Sequence, residues 1–157
     1  MHHSDLVESV PVHQVSEPPA KTNSLQILLA EDNLVNQRVT HLLVAKLGHT
    51  LDIVSDGVMA VEAAERTPYG VVLMDVEMPN MDGLEATRRI LSHYRDASDR
   101  PYILALTASA NRTDCLNAGM DEYLQKPIRL ADLGDKLGHA LTTAAAWRKQ
   151  RQQNSSL

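Results

Sequence analysis

Short, largely apolar runs alternate with segments of helical spacing between residues 25 and 143. The runs are four to six residues long, which suits buried strands and is too short for helices. Between them, apolar residues recur every three or four positions, as they do on one face of a helix. Five strands alternating with five helices imply right-handed crossovers between parallel strands. The pattern therefore predicts an α/β fold, a doubly wound parallel sheet covered by helices on both faces.

The boundaries of the elements follow from the same pattern. We expect strands at residues 25–30, 51–54, 71–74, 101–106 and 122–125, and helices at 35–47, 57–66, 84–94, 109–118 and 130–141. Gly48 and Gly119 are placed to end the first and fourth helices, as glycine commonly does. The second helix is expected to turn Val58 and Val61 inward, and the fourth to bury Cys115.

Composition narrows the class of protein. The 157 residues suit one domain whose core needs no disulfide or metal to hold it. The single cysteine fits a reducing compartment, so we expect a cytoplasmic location. The net charge of −5 argues against a general nucleic-acid binder. No apolar run approaches the roughly 20 residues that span a bilayer, so we expect no membrane contact from this segment.

The chain divides into three segments by composition. Residues 1–24 carry scattered Pro, Ser and His without a periodic pattern, and we expect them to form a flexible linker. Residues 25–143 are expected to form the folded domain. Residues 144–157 are polar, and we expect a C-terminal tail that partly extends the last helix.

Polar residues stand directly after the apolar runs. They are Glu31 and Asp32 after the first strand, Asp75 after the third, Thr107 after the fourth and Lys126 after the fifth. In a doubly wound sheet these positions converge on one edge. Carboxylates about 4–6 Å apart repel by roughly 1–4 kcal/mol per pair, and Mg²⁺ relieves such repulsion because it prefers carboxylate, carbonyl and water oxygens. An ammonium and a hydroxyl facing the carboxylates suit transfer of a phosphoryl group to an aspartate oxygen.

Four motifs in order carry a family resemblance: ILLAEDN, VVLMDVEMPNMDGLEATRRI, ILALTA and GMDEYLQKPI. With them, residues 25–143, about three-quarters of the chain, resemble the receiver domain of two-component response regulators. Together the motifs are most similar to those of the receiver attached to a hybrid sensor histidine kinase. The resemblance implies a flavodoxin-like sheet with strand order 2-1-3-4-5. It also implies that the chain takes a phosphoryl group from phosphohistidine.

The resemblance assigns metal and acceptor roles position by position. Asp75 matches the phosphoacceptor, and Asp32 matches the position that ligates Mg²⁺ directly. Glu31 matches the acidic neighbour that acts through metal-bound water. Glu77 stands two residues after the acceptor, where the family uses a backbone carbonyl as a ligand.

Further positions match the part of the family pattern that responds to phosphorylation. Thr107 matches the switch hydroxyl and Tyr123 matches the aromatic switch position. Lys126 matches the invariant lysine of the family. The bond between Lys126 and Pro127 matches a peptide that is usually cis, which X–Pro bonds tolerate. The implied partner is a histidine kinase or a histidine phosphotransfer domain, and the implied output is a changed surface or onward transfer. Such a receiver catalyses its own phosphotransfer and dephosphorylation, and the parent protein is expected to be a hybrid histidine kinase.

Each residue alone also has a plainer interpretation. Glu31, Asp32 and the following Asn33 could cap a helix, where acidic residues favour the dipole. Asp75 could be a loop residue, and Tyr123 could simply pack in the core.

Three other function classes would each require a different feature in the sequence. An Asp-nucleophile phosphatase would carry a second Asp two residues after the nucleophile, where this chain has Glu77. A flavodoxin-type binder would carry a phosphate-cradling loop after the first strand, where AEDN is acidic. A degenerate receiver would lack part of the acidic, hydroxyl and lysine set, which is complete here. A free-standing single-domain regulator also remains open.

Overall fold

The computed structural model describes residues 25–96, 99–109 and 112–155. The expected linker, residues 1–24, lies outside them. The elements in chain order are β1 (Gln26–Ala30), α1 (Leu34–Lys46), β2 (Thr50–Val54), α2 (Gly57–Arg66), β3 (Val71–Asp75), α3 (Gly83–Leu91), β4 (Tyr102–Thr107), α4 (Arg112–Asn117), β5 (Glu122–Gln125) and α5 (Leu130–Ser155). All strand pairs are parallel, and the order is β2-β1-β3-β4-β5. The doubly wound α/β fold with strand order 2-1-3-4-5 is confirmed.

The central strands place alternate residues on opposite faces of the sheet, as the two-residue period of a strand requires. Leu28 and Val72 lie on the face that packs against α2, α3 and α4. Leu29 and Leu73 lie on the other face, which packs against α1 and α5. Strands β3 and β4 are buried along their whole length, because both faces are covered. Edge strand β2 is mostly exposed or half-buried.

Small residues form the inner side of α2. Val58 is 38% exposed, so the prediction that it turns inward is wrong. The buried positions are Ala60, Ala63 and Ala64, which also recur at helical spacing. Their small side chains let α2 approach the sheet closely. Val61 does pack against the core, where it is partly buried.

The apolar residues that recur at helical spacing in α1 divide between its two sides: Val35, Val39 and Leu42 are exposed, whereas Leu43 and Leu47 pack against the core. Leu34 is 73% exposed and Leu42 is 65% exposed, whereas Thr40 and Val44 face the core. Leu34, Leu42 and the neighbouring Ile53 of β2 line one shallow surface depression of about 300 Å³, together with the polar residues Gln37, Arg38 and His41. We call Leu34, Leu42 and Ile53 the α1 patch. Helical spacing thus predicted the helix and left open which of its sides is buried.

Several helix ends differ from the expected bounds, and the largest difference is in α5, which runs to Ser155 rather than 141. Helix α4 begins at Arg112 rather than Ser109, with residues 110–111 outside the described part of the chain. Helix α3 ends at Leu91, so Tyr94 lies beyond it. Gly48 and Gly119 follow α1 and α4 with φ of +86° and +104°, as predicted for glycines that end helices. Among the described residues, no helix combines the length and apolar character needed to cross a bilayer.

Candidate functional site

The carboxyl ends of β1 and β3 bring three carboxylates together. Glu31, Asp32 and Asp75 each offer an oxygen within 4.8 Å of the others. Glu31 and Asp75 are buried, with 1% and 5% of their surface exposed, whereas Asp32 is exposed. The adjacent strands end at the same level, which explains why residues 43 positions apart in the sequence meet here.

The carboxylates of Glu31 and Asp32 do not form the N-terminal cap of α1, the helix that follows β1. Asn33 caps α1, since its side-chain oxygen accepts the Asn36 N–H at 2.9 Å. Glu31 is instead held by its own backbone, whose N–H donates to the Val54 carbonyl at 3.0 Å. Gln37 donates to the Glu31 carbonyl at 2.7 Å. The capping interpretation therefore belongs to Asn33, while the Glu31 side chain accepts the Asn33 N–H on Oε2 at 3.2 Å and directs Oε1 to Lys126.

Lys126 places its ammonium between the two buried carboxylates. Its Nζ lies 2.9 Å from Glu31 Oε1 and 3.3 Å from Asp75 Oδ1. The Lys126 N–H donates to the Thr107 carbonyl at 2.7 Å, which ties the end of β5 to the end of β4. The Lys126–Pro127 peptide is cis, as the sequence predicted.

Thr107 and Glu77 lie on the rim of a groove beside the acidic cluster. The groove has a volume of about 430 Å³ and lies between the segment after β3 and the start of α4. Thr107 is 5% exposed, and its hydroxyl oxygen accepts the Ser109 N–H at 3.3 Å. The Glu77 N–H donates to Asp75 Oδ1 at 3.4 Å. A hydroxyl and the backbone of Glu77 thus border Asp75.

Tyr123 lies further along the same side of the sheet and is partly buried. The Arg112 guanidinium stacks on its ring, with Cζ 5.4 Å from the ring centroid. Such a cation–π contact favours the present ring position. The side chain is therefore in contact with α4 and not enclosed by the core.

Burial and charge shift the ionisation of the central pair. Burial, followed by the nearby charge of Glu31, raises the pKa of Asp75 to about 6, and Lys126 only partly offsets this. Burial also lowers the pKa of Lys126, but hydrogen bonds and charges from Glu31 and Asp75 outweigh it, so the net direction is upward. The lysine stays protonated, and the cluster holds more negative charge than it can neutralise alone.

The backbone next to Asp75 tolerates no side chain at position 83. A Cβ on Gly83 would lie 2.2 Å from the Asp75 carbonyl oxygen, and the Gly83 N–H donates to the Val76 carbonyl at 2.8 Å. This contact closes the segment after β3 at its base. In the sequence, Asp82-Gly83 is typical of a turn, and the packing role of Gly83 becomes visible only once β3 and α3 are in place.

The donor set fits a hard divalent cation. Three carboxylates and one ammonium leave two negative charges to balance. Carboxylate oxygens with one exposed ligand position suit Mg²⁺, which keeps several waters when bound by proteins. The cluster of Glu31, Asp32 and Asp75 could therefore hold Mg²⁺.

The response regulator receiver domain profile matches residues 27–138. The chain belongs to the response regulator receiver domain family. A probable histidine kinase 1 from Oryza sativa subsp. indica is 33% identical over an alignment of 162 positions, which covers 83% of this chain and 17% of that kinase. The chain thus spans about a sixth of that relative's length. Its class of function is that of a receiver in two-component phosphorelay signalling.

Two solved receiver structures are similar. One is the receiver domain of the sensor histidine kinase PA1611 from Pseudomonas aeruginosa PAO1, with a magnesium ion coordinated in its active-site cleft. It is 41% identical, has a TM-score of 0.69 and covers 76% of this chain and 98% of that one. The other is the receiver domain of Ssk1 in complex with the histidine phosphotransfer protein Ypd1 from Saccharomyces cerevisiae. It is 26% identical, with a TM-score of 0.67, and covers 73% of this chain and 87% of that one.

Proposed function

We propose that this chain accepts a phosphoryl group on Asp75, with Mg²⁺ held by Asp32, Asp75 and the backbone carbonyl of Glu77. Glu31 acts on the metal through a bound water. The observation that carries the proposal is the position of the Asp75 carboxylate. It is buried at the end of a central strand, within reach of two other carboxylates and 3.3 Å from an ammonium.

The transfer step uses one oxygen of Asp75 as the nucleophile. That oxygen bonds to phosphorus as the bond between phosphorus and the donor imidazole nitrogen breaks, and the nitrogen keeps the electron pair. When bound, Mg²⁺ balances the charge of the carboxylates and of the phosphoryl oxygens. Lys126, which already contacts Asp75, supplies a second positive charge. Asp75 must be ionised to react, and with a pKa of about 6 it is ionised at neutral pH.

The switch proposal rests on Thr107 and Tyr123. The Thr107 hydroxyl borders the acceptor and donates to a phosphoryl oxygen once Asp75 is modified. Its movement opens space in the groove between the segment after β3 and α4, and Tyr123 leaves its stack on Arg112 to turn inward. New contacts at the phosphoryl group thereby shift the balance between two packings of α4, β5 and α5.

A partner that brings phosphohistidine to Asp75 must contact the rim of the acidic cluster. The α1 patch begins at Leu34, two residues after Asp32, so it continues the rim onto an exposed apolar surface. Exposed apolar residues beside a reaction site mark protein contact surfaces. We therefore assign the α1 patch to docking of a histidine phosphotransfer domain or histidine kinase. No nucleic-acid or membrane partner is part of this proposal.

The parent protein in this proposal is a hybrid histidine kinase in the cytoplasm. Support comes from the Oryza kinase, of which the matched region is a small part. Cys115 is buried as predicted and is the chain's only cysteine, which is compatible with a reducing compartment.

Replacing Asp32 by Ala tests the metal assignment. We expect the Mg²⁺ dissociation constant to rise by about 10- to 100-fold, because a direct carboxylate ligand is lost from a site where Mg²⁺ has few protein ligands. Isothermal titration calorimetry measures the constant directly. Asp135→Ala, an exposed carboxylate on α5, serves as control and should bind Mg²⁺ like the wild type. Equal losses in both variants would show that the metal site lies elsewhere.

Replacing Leu42 by Asp tests the docking surface. A charge in the α1 patch should lower the second-order rate of transfer from a phosphorylated histidine phosphotransfer protein by about 10-fold or more. Labelling by acetyl phosphate should stay within about two-fold, because a small donor needs no docking surface. Leu116→Asp is the matched control, since Leu116 is 45% exposed but lies on α4. Unchanged transfer in Leu42→Asp would remove the α1 patch from the proposal.

A further inference from the structure

The segment between β3 and α3, residues 76–82, carries Glu77. Its tip, at Asn80, is hydrogen-bonded to the residue that precedes α2. Asn80 donates from its side-chain amide to Asp56 Oδ2 at 2.7 Å. Asp56 is the residue before α2 and also caps that helix, since its other oxygen accepts the Met59 N–H at 2.8 Å. One carboxylate therefore holds both the start of α2 and the tip of the segment that follows Asp75.

The backbone at the tip is strained, which makes such a fastening necessary. The Met81 N–H donates to the Pro79 carbonyl at 2.7 Å, closing a three-residue turn around Asn80. Asn80 has a φ of +69°, in the left-handed region that L-residues rarely adopt. Turns of this kind are rare and strained, and such strain persists where surrounding contacts enforce it.

A second contact presses the tip against α2. A Cβ on Gly57, the first residue of α2, would lie 2.2 Å from the Met81 carbonyl oxygen. The close approach is possible because position 57 has no side chain. Asp56 and Gly57 thus hold adjacent parts of the tip, one through a hydrogen bond and the other through contact.

We infer that Asp56, acting through Asn80, is a positioning residue for Mg²⁺ binding and phosphoryl transfer. This inference rests on the proposed function, in which the Glu77 carbonyl is a metal ligand. The base of the segment is closed by the Gly83 N–H and the Val76 carbonyl, and its tip by the link from Asp56 to Asn80. Glu77 lies between these two anchors. Mg²⁺ demands near-ideal octahedral geometry, so a carbonyl ligand that moves lowers affinity even when the side-chain ligands are intact.

Two variants break the link while preserving the local structure around it. Asp56→Ser keeps a good helix cap but removes the second carboxylate oxygen that reaches Asn80. Asn80→Gly removes the amide but suits the left-handed backbone. Each should raise the Mg²⁺ dissociation constant by about 3- to 10-fold, less than loss of a direct ligand. The double variant should bind Mg²⁺ no more weakly than the weaker of the two single variants, because both substitutions remove the same contact.

The rate of labelling by acetyl phosphate and the folded fraction without metal together separate positioning from a general loss of structure. For both variants the rate at low Mg²⁺ should fall in proportion to affinity, and at saturating Mg²⁺ it should return to within about two-fold of the wild type. Because Mg²⁺ binding would also rescue a partly unfolded domain, the far-UV circular dichroism of each variant without Mg²⁺ is measured and should match that of the wild type.

The possible outcomes separate the positioning role from the proposed function. Mg²⁺ affinity within two-fold of the wild type in both single variants would overturn the inference, and so would additive losses in the double variant. If the wild type itself fails to be labelled on Asp75, the proposed function falls. Wild-type labelling together with unaffected Asp56→Ser and Asn80→Gly leaves the proposed function standing and removes only the positioning role.

Discussion

Asp75→Asn should abolish labelling by acetyl phosphate in the presence of Mg²⁺, lowering the rate by about 100-fold or more. The amide is nearly the same size as the carboxylate but is a poor nucleophile. It also removes one negative charge from the cluster that balances the metal. The label to follow is the acyl phosphate, which hydroxylamine releases. Asp135→Asn on α5 is the matched control and should be labelled like the wild type.

The same substitution should not weaken the fold. The folded chain raises the pKa of Asp75 to about 6, so folding disfavours its ionised form. A raised carboxyl pKa means that stability falls as pH rises above the ordinary value of about 3.8 toward and through the folded-state value. Removing the charge at neutral pH therefore relieves a cost. Without Mg²⁺, the urea midpoint of Asp75→Asn should equal or exceed that of the wild type.

The labelling rate and the urea midpoint together show whether a loss of labelling comes from unfolding. Loss of labelling in a variant that is as stable as the wild type cannot come from unfolding. Hydroxylamine-sensitive label at the wild-type rate on Asp75→Asn would instead move the acceptor to another carboxylate of the cluster, with Asp32 the exposed candidate.

The parts of the structure that the sequence predicted follow from two short-range rules. Apolar runs identify buried strands, and the ends of parallel strands meet at one edge of the sheet. These rules placed Glu31, Asp75 and Lys126 together before any distance was known, and the salt-bridge contacts of Lys126 join all three. Their assigned roles remain proposals.

The features that the sequence did not predict depend on which helices, strands and loops pack against each other in the fold. The Val58 side of α2 and the alanine side have the same period, and only packing against the sheet selects the alanines. Leu42 looks like a core residue in the sequence and lies in solvent. Asn80 and Asp56 are 24 positions apart, and nothing in their spacing indicates a hydrogen bond between them. Such contacts arise from tertiary register, which periodicity does not encode.

Asp121→Ala should cost the domain about 1.5–3 kcal/mol of unfolding free energy, the range for hydrogen bonds to a charged group. Arg100 and Asp121 form two parallel contacts, Nη1 to Oδ1 at 3.1 Å and Nη2 to Oδ2 at 2.8 Å. Their side chains are only 14% and 20% exposed. Asp121 Oδ2 also accepts the Ile103 N–H at 2.8 Å. The substitution therefore removes the carboxylate that faces a largely buried guanidinium and the partner of a backbone donor in β4.

The loss should be visible in stability and not in chemistry. Since small domains are stable by only about 5–15 kcal/mol, the urea midpoint should fall by a large fraction. Asp121 precedes β5 and Ile103 lies near the start of β4, so the pair lies at the opposite end of the strands from Asp75. Protein that remains folded should therefore be labelled by acetyl phosphate at the wild-type rate. Glu85→Ala removes the exposed contacts to Arg88 and Arg89 and should leave the midpoint nearly unchanged. If Asp121→Ala shifts the midpoint no further than this control, burial adds nothing to the Arg100 pair, and the loops before β4 and β5 must be held by their backbone contacts instead.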